Sequence, residues 1–139
     1  MKKIAIVYWS GTGNTLAMAN ELGQGAEAAG AEVQIIEAGD FSKDKLNDYD
    51  AIAFGCPAMG NEELEETVFE PMFSEVEPLL KGKPIVLFGS YEWADGEWME
   101  TWEDRCNSGG LTVVGSLAAF GMPDETAKTA CRELGEKLA

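Results

Sequence analysis

The chain has 139 residues, of which 45% are hydrophobic, and its 25 acidic and 10 basic side chains give a formal net charge of −15. This length suits a single domain over residues 1–139, and so negative a surface argues against nucleic acid and anionic membranes as partners. The absence of histidine removes the commonest general base and metal ligand, and the three cysteines lack metal-ligand spacing, so we expect no metal site. An odd number of cysteines and the lack of a ~20-residue apolar run indicate a cytoplasmic protein.

The first predicted unit is a strand, a loop and a helix. Residues 4–9 are apolar and β-prone, and a helix is predicted over 14–29, with Gly30 suited to end it. We expect one face of this helix to be buried, formed by Met18, Leu22, Ala26 and Ala29. A second strand follows over 32–37, where the initial alternation of polar and apolar residues suggests a sheet edge.

The middle of the chain predicts two buried strands. The runs over 51–55 and 84–89 are fully apolar, as in parallel strands covered on both faces. Residues 39–48 predict a loop or short helix, and 64–80 predict a helical stretch that we expect Pro71 to interrupt.

The last third predicts a helix over 96–107, a fifth strand over 112–117 and a closing helix to Leu138 with Pro123 in its first turn. Strands that alternate with helices form a parallel sheet with helices on both faces. The fold class is therefore α/β, a three-layer doubly wound sandwich, in which ligands bind beyond the carboxyl ends of the strands.

The loop after the first strand has the chemistry of a phosphate site. The helix start offers N–H groups and the positive end of its dipole, glycines let the backbone approach a ligand, and hydroxyl and amide groups donate hydrogen bonds. A nucleoside triphosphate loop would need a Lys, and the dinucleotide fingerprint would need a third Gly where Leu16 stands. A terminal phosphate monoester is the ligand that fits, and a capped turn without a ligand is the alternative. The loop residues are Ser10, Gly11, Thr12, Gly13, Asn14 and Thr15.

The loops after the third and fourth strands carry large polarisable side chains. Met59 and Trp93 can cover the two faces of a flat heterocycle, Glu62 can accept a hydrogen bond from its edge, and Ser90 can reach the first loop. Met59 as a surface gap-filler is the alternative. We expect Trp98 and Trp102 to lie in the core, because they are spaced as on one helix face.

These three loops together resemble those of the flavodoxin family, in its short-chain clostridial form. The resemblance is carried by Ser10-Gly11-Thr12-Gly13-Asn14-Thr15, by Met59-Gly60-Asn61-Glu62 and by Ser90-Tyr91-Glu92-Trp93, and it covers nearly the whole chain. It implies a five-stranded sheet in the order 2-1-3-4-5. It also implies a low-potential one-electron carrier that uses non-covalent FMN through the semiquinone/hydroquinone couple and has no substrate turnover of its own.

The resemblance also implies residue roles. Ser10, Thr12, Asn14, Thr15 and Ser90 would hold the phosphate, Met59 and Trp93 would flank the isoalloxazine, and Glu62 would anchor its N3 edge. The peptide of Gly60 would turn over on reduction. Gly11, Gly13, Pro57, Ala58, Asn61, Tyr91 and Glu92 complete the predicted cofactor-binding set.

Three positions depart from the family pattern: Asn61, Glu92 (where a Gly is usual) and Phe120, which we place in the loop after the fifth strand.

The expected partners are redox proteins with basic surfaces, and the expected state is a monomer. The alternatives are an FMN-dependent quinone or nitro-compound reductase on the same fold, and a non-redox binding or signalling module.

Overall fold

A computed structural model describes residues 2–59, 63–92 and 96–139. Its centre is one parallel five-stranded sheet in the order β2-β1-β3-β4-β5, which confirms the predicted topology. The change of direction in strand order falls between β1 and β3, at the sheet position where doubly wound proteins bind their ligands. The strands are β1 Lys3–Tyr8, β2 Glu32–Glu37, β3 Ala51–Gly55, β4 Pro84–Tyr91 and β5 Thr112–Phe120.

Helices cover both faces of this sheet and make the three predicted layers. One hydrophobic cluster packs α2 and α3 on one face, and the other packs α1 and α4 on the opposite face. The helices are α1 Asn14–Ala28, α2 Phe69–Val76, α3 Glu97–Ser108 and α4 Glu125–Leu138, with 3-10 turns at Ala38–Asp40, Lys43–Asp48 and Glu77–Leu79.

The burial of the strands follows their place in the sheet. All five residues of β3 are buried, as expected for a central parallel strand, whereas β2 is partly exposed along its length at the sheet edge. The register pairs Tyr8 with both Glu37 and Gly55, so β1, β2 and β3 end at the same level. The loops that follow β1 and β3 therefore leave the sheet side by side.

Four expectations about element boundaries were wrong. The helix predicted over 64–80 begins only at Phe69, and Pro71 lies in its first turn, where a missing N–H costs little; the change to a 3-10 turn occurs at Glu77–Leu79. Pro123 precedes α4, whose N-cap is Asp124. Ala29 is exposed because it is the C-cap of α1. Phe120 is the last residue of β5, not a loop residue, because pairing with β4 extends β5 beyond 117.

Helices α1 and α4 cross at unusually close range through two glycines. A Cβ atom added to Gly25 would lie 2.0 Å from the carbonyl oxygen of Arg132, and one added to Gly135 would lie 2.1 Å from that of Leu22. Arg132 also donates to the Glu21 carboxylate at 2.5 Å. The two helices thus pack backbone against backbone, which fixes the direction of α1 and of the loop that precedes it.

On the other face, Arg105 of α3 ties α2 to α3. Its guanidinium donates to the carboxylates of Glu70 and Glu77 at 2.7–3.1 Å and lies 5.0 Å from the ring centre of Phe73. The bond to Arg105 is the main reason why the pKa of Glu70 lies below its ordinary value. Among the described residues, no helix is both long and apolar enough to cross a membrane.

Candidate functional site

The loops after β1, β3 and β4 meet at the carboxyl ends of the strands and enclose a cleft of about 190 Å³. Each of the three loops was predicted to contribute to one site, and the structure brings them together. The residues that line the cleft are Trp9, Gly11, Thr12, Pro57, Ala58, Met59, Ser90, Tyr91 and Glu92.

The loop after β1 is organised by the side chain of Ser10. Its Oγ accepts hydrogen bonds from the backbone N–H of Gly13, at 3.0 Å, and of Leu16, at 3.4 Å. Gly13 has φ +95°, a left-handed conformation that disfavours other residues, and it is the N-cap of α1. The Ser10 oxygen thus shapes the loop, and its O–H is a donor that these two bonds do not use.

The start of α1 is electrically suited to an anion. Its first turn has no acidic residue, and the first N–H groups of a helix have no carbonyl partner within the helix. A Cβ atom at Gly11 would lie 3.3 Å from the Trp9 ring, a contact tighter than most, so Gly11 lets the backbone pass close to this indole. The loop therefore presents backbone and hydroxyl groups to the cleft.

Two buried hydroxyl groups connect this loop to β4. Thr15 and Ser90 are 1% and 3% exposed, and their Oγ1 and Oγ atoms lie 3.2 Å apart. Either hydroxyl can donate to the other, which leaves one O–H proton for a further acceptor. The prediction that Ser90 reaches the first loop is confirmed.

Asn14 and Glu92 join the same two loops nearer to the surface. The Asn14 side-chain amide, which is largely buried, donates to the Glu92 carboxylate at 3.4 Å. Among the described residues that line the cleft, Glu92 has the only ionisable carboxylate and there is no Lys or Arg. A phosphate here would be held by neutral donors.

The loop after β3 is attached to β4 by its backbone. The N–H of Cys56 donates to the Phe88 carbonyl at 3.1 Å, and that of Ala58 donates to the Ser90 carbonyl at 2.9 Å. A Cβ atom added to Gly89 would lie 2.1 Å from the Cys56 oxygen, so only glycine allows this approach. Pro57 and Ala58 thereby form part of one wall of the cleft.

Met59 is paired with Glu63 by two backbone hydrogen bonds. Its N–H donates to the Glu63 carbonyl at 2.8 Å, and the N–H of Glu63 donates back to the Met59 carbonyl at 2.9 Å. Met59 lines the cleft and is 36% exposed. This exposure is compatible with both predictions for Met59, that it covers a ligand and that it fills a gap at the surface.

Two residues after Glu63, Glu65 is a buried carboxylate that is 5% exposed. Its side chain accepts hydrogen bonds from the backbone N–H groups of Thr67, Val68 and Phe69 at 2.7–2.8 Å, and from the Thr67 hydroxyl. Burial raises the pKa of Glu65, but these hydrogen bonds outweigh burial and hold it below its ordinary value. Glu65 is therefore a buried anion at the start of α2.

Cys56 joins the two arms of this loop. Its Sγ accepts from the Glu65 N–H at 3.3 Å, and its carbonyl accepts from the Trp98 indole N–H at 3.3 Å. Burial raises the pKa of the Cys56 thiol to about 12, so it is protonated at neutral pH. The predictions that Trp98 and Trp102 lie in the core are confirmed.

Tyr91 and Phe120 form the outer rim of the cleft beside β5. Their ring centres are 5.5 Å apart at 76°, and the Gly121 N–H donates to the Tyr91 carbonyl at 2.7 Å. Phe120 is nonetheless 68% exposed. It therefore adds an exposed apolar surface next to Tyr91, which lines the cleft.

Four of the predicted site residues lie outside the described residues: Gly60, Asn61, Glu62 and Trp93. Sequence reasoning missed three others that shape the site, namely Trp9 as a cleft wall, Glu65 and the Trp98 indole N–H. Glu65 lies three residues before Val68, the N-cap of α2, so no capping pattern in the sequence pointed to it. No cluster of potential metal ligands occurs in the ranges that the structure describes.

The fold and the cleft together define a class: a doubly wound α/β protein with a neutral, hydroxyl-rich cradle at the point where the strand order reverses. A family model described as Flavodoxin matches residues 6–135. The flavodoxin of Megasphaera elsdenii is 50% identical over 136 residues, with 98% of both chains covered, and that of Clostridium beijerinckii is 45% identical over 135 residues, with 96% of this chain and 97% of that one covered.

Solved structures of flavodoxins have the same fold as this chain. The solution structure of two-electron reduced M. elsdenii flavodoxin superposes with a TM-score of 0.90 over 97% of both chains. A flavodoxin from the domain Archaea, 31% identical, has a TM-score of 0.88 and covers 99% of this chain and 96% of that one.

This chain belongs to the flavodoxin family. It is accordingly an electron-transfer protein that binds FMN and exchanges electrons with redox partner proteins, and it is not an enzyme. The reductase alternative is not favoured.

Proposed function

We propose that the FMN phosphate binds to the loop of residues 10–15 and to Ser90, and that the flavin ring lies between the loops after β3 and β4. The observation that carries this assignment is the buried Thr15–Ser90 hydroxyl pair, which joins the start of α1 to the end of β4 at the base of the cleft. Their mutual bond uses one of the two hydroxyl protons, and a phosphate oxygen is an acceptor for the other.

The donor set suits a phosphate monoester that is held without a cation. Hydroxyl groups of Ser10, Thr12, Thr15 and Ser90 and the N–H groups at the start of α1 are all neutral donors. Hydrogen bonds from neutral donors to a charged oxygen are stronger than bonds between neutral groups, which offsets the lack of a Lys or Arg. The residues present therefore fit the cofactor.

The remaining cleft residues suit a flat ring. Pro57, Ala58 and Met59 provide one apolar wall, and Tyr91 provides part of the rim. FMN supplies the one-electron chemistry, and the protein contributes orientation, exclusion of water and local charge. In this assignment Met59 and Trp93 cover the ring, Glu62 binds its N3 edge and Gly60 provides the peptide that turns; Gly11, Gly13, Asn14, Asn61 and Glu92 complete the site.

A binding comparison tests the phosphate assignment. Apoprotein is titrated with FMN and with riboflavin, which has the same ring but no phosphate, and quenching of flavin fluorescence reports binding. One FMN per chain and an affinity for FMN at least about a hundredfold above that for riboflavin are expected, since several charge-assisted hydrogen bonds of about 1.5–3 kcal/mol would be lost. Equal affinities would overturn the assignment.

We also propose that the partners approach with basic surfaces. The net charge of −15 attracts cationic proteins and steers their encounter, a term that salt screens. Electron transfer from the reduced protein to a basic c-type cytochrome should slow as ionic strength rises, whereas transfer to anionic ferricyanide should quicken. Two rates that ignore salt would contradict the proposal.

The expected cellular form is a monomer in the cytoplasm. The three cysteines are buried and free, as suits a reducing compartment, and a monomer leaves the rim of Tyr91 and Phe120 open to partners. Sedimentation of the FMN-bound protein at a mass near 15.0 kDa would support the monomer. A stable dimer would contradict it.

A further inference from the structure

The loop after β3 is held at both of its arms, and the two arms are held differently. The outgoing arm, residues 56–59, is hydrogen-bonded to β4 through the N–H groups of Cys56 and Ala58. The return arm, residues 63–65, has the paired backbone bonds of Glu63 with Met59 and a single bond to Cys56 Sγ. The fixed point of the return arm is the Glu65 side chain.

Glu65 is joined to the start of α2 by several hydrogen bonds. Its carboxylate accepts from three successive backbone N–H groups and from the Thr67 hydroxyl, while its own carbonyl accepts from the Glu70 N–H at 2.8 Å. Helix α2 is in turn bound to α3 through Arg105. Glu65 thus attaches a loop that lines the cleft to a rigid helix pair.

Glu65 is connected to the cleft through the backbone hydrogen bonds between Glu63 and Met59. Glu65 lies two residues after Glu63, Glu63 is doubly bonded to Met59, and Met59 lines the cleft. If the return arm shifts, the paired bonds shift Met59 with it. A loop wall that moves by about 1 Å loses much of the contact on which positioning depends.

We propose that Glu65 is a positioning residue for the FMN site: it fixes the return arm of the loop after β3 and so sets the place of Met59. The inference rests on the proposed FMN site and deepens it. Glu65 is not among the residues that line the cleft, and it acts through the backbone of residues 63 and 59.

The test compares two carboxylates that accept backbone N–H groups near the start of a helix. Glu65→Gln keeps the size of the side chain and weakens its role as acceptor. Asp124→Asn makes the same change at the N-cap of α4, where Asp124 accepts from the Ala127 N–H at 2.8 Å, away from the cleft lining. Both variants should lower the melting temperature of the apoprotein, because each loses a charged acceptor of backbone N–H groups.

Only Glu65→Gln should change the flavin site. Its dissociation constant for FMN should rise by about threefold to tenfold, and the midpoint potential of the first one-electron step should move by about 30 mV, which corresponds to threefold for one electron. Asp124→Asn should match the wild type in both. If the two variants lose the same stability and neither changes affinity or potential, Glu65 is structural only and the inference is wrong.

A second pair keeps the test decisive if Glu65→Gln does not fold. Thr67 is exposed, and its hydroxyl donates to Glu65. Thr67→Val removes this donor and should weaken FMN binding in the same direction by a smaller factor, whereas Thr67→Ser keeps the donor and should restore it. Equal affinities of these two variants would overturn the inference. Wild-type protein that binds no FMN would instead overturn the proposed site itself.

Discussion

Thr15 Oγ1 and Ser90 Oγ lie 3.2 Å apart in the interior, although 75 positions separate the two residues in the chain. The pair joins the first turn of α1, which follows β1, to the end of β4, and β1 and β4 lie on either side of β3 in the sheet. Because both hydroxyl groups are buried, this contact determines how the cradle after β1 sits relative to the wall formed by β4.

Ser90→Ala is predicted to weaken FMN binding by about tenfold, because one hydrogen bond to a charged group is worth about 1.5 kcal/mol or more. Riboflavin binding should change by less than threefold, since it lacks the phosphate. The measurement is fluorescence quenching with both flavins. Ser108→Ala, at the exposed end of α3, is the matched control. An equal loss for both flavins would remove Ser90 from the phosphate site.

Gly25→Ala is predicted to destabilise the protein by about 2 kcal/mol, although Gly→Ala usually stabilises a helix. The added Cβ would overlap the Arg132 carbonyl and push α4 away from α1. Urea denaturation measures the effect. Gly39→Ala is the control, since its Cβ would meet only Val68, at the ordinary distance of 3.6 Å. A Gly25→Ala protein as stable as the wild type would show that the helices do not cross so closely.

Glu65 is predicted to make stability depend on acid pH. Burial raises its pKa, but hydrogen bonds from Thr67, Phe69 and Val68 outweigh burial and lower it below the unfolded value, so the folded state binds fewer protons. Its contribution is complete above the unfolded pKa of about 4.3 and is lost as pH falls through the lower folded pKa. The difference in stability between the wild type and Glu65→Gln should therefore be constant from pH 7 to about 5 and shrink below pH 4. A difference unchanged at pH 3 would contradict this.

The three cysteines are predicted to be unreactive in the folded protein. Burial is the first cause that raises the pKa of Cys56, Cys106 and Cys131 to about 12 in each case, and the thiolate is the reactive form. An aromatic disulfide reagent at pH 8 should release almost no thiolate colour from native protein and three equivalents after denaturation. One thiol that reacts rapidly in the native state would show an opening near it.

Much of the fold could be predicted from local patterns. The apolar runs of β3 and β4 and the alternation of strands with helices define the layers, and the loop of Ser10 to Thr15 marks the ligand end of the sheet. The order of the strands came from the resemblance. The close crossing of Gly25 and Gly135 could not be predicted, because it depends on two helices that are far apart in sequence.

For the site, too, local patterns predicted some residues, and tertiary contacts determine the others. Hydroxyl groups after a strand indicate a phosphate cradle, and this signal led to Thr15 and Ser90. Glu65 and the Trp98 indole N–H support the loop after β3 through tertiary contacts, and neither residue type has a local signature for that role. The extension of β5 to Phe120 likewise follows from its pairing with β4, and local sequence patterns do not show this pairing.

The most direct test of the central claim is an anaerobic reductive titration of the FMN-bound protein followed by visible absorbance. The account predicts one FMN per chain, two separate one-electron steps with a long-wavelength band that rises and then disappears, and no turnover of a nicotinamide with a quinone. Direct two-electron reduction without that band, together with nicotinamide-dependent turnover of a quinone, would contradict an electron carrier and favour a reductase.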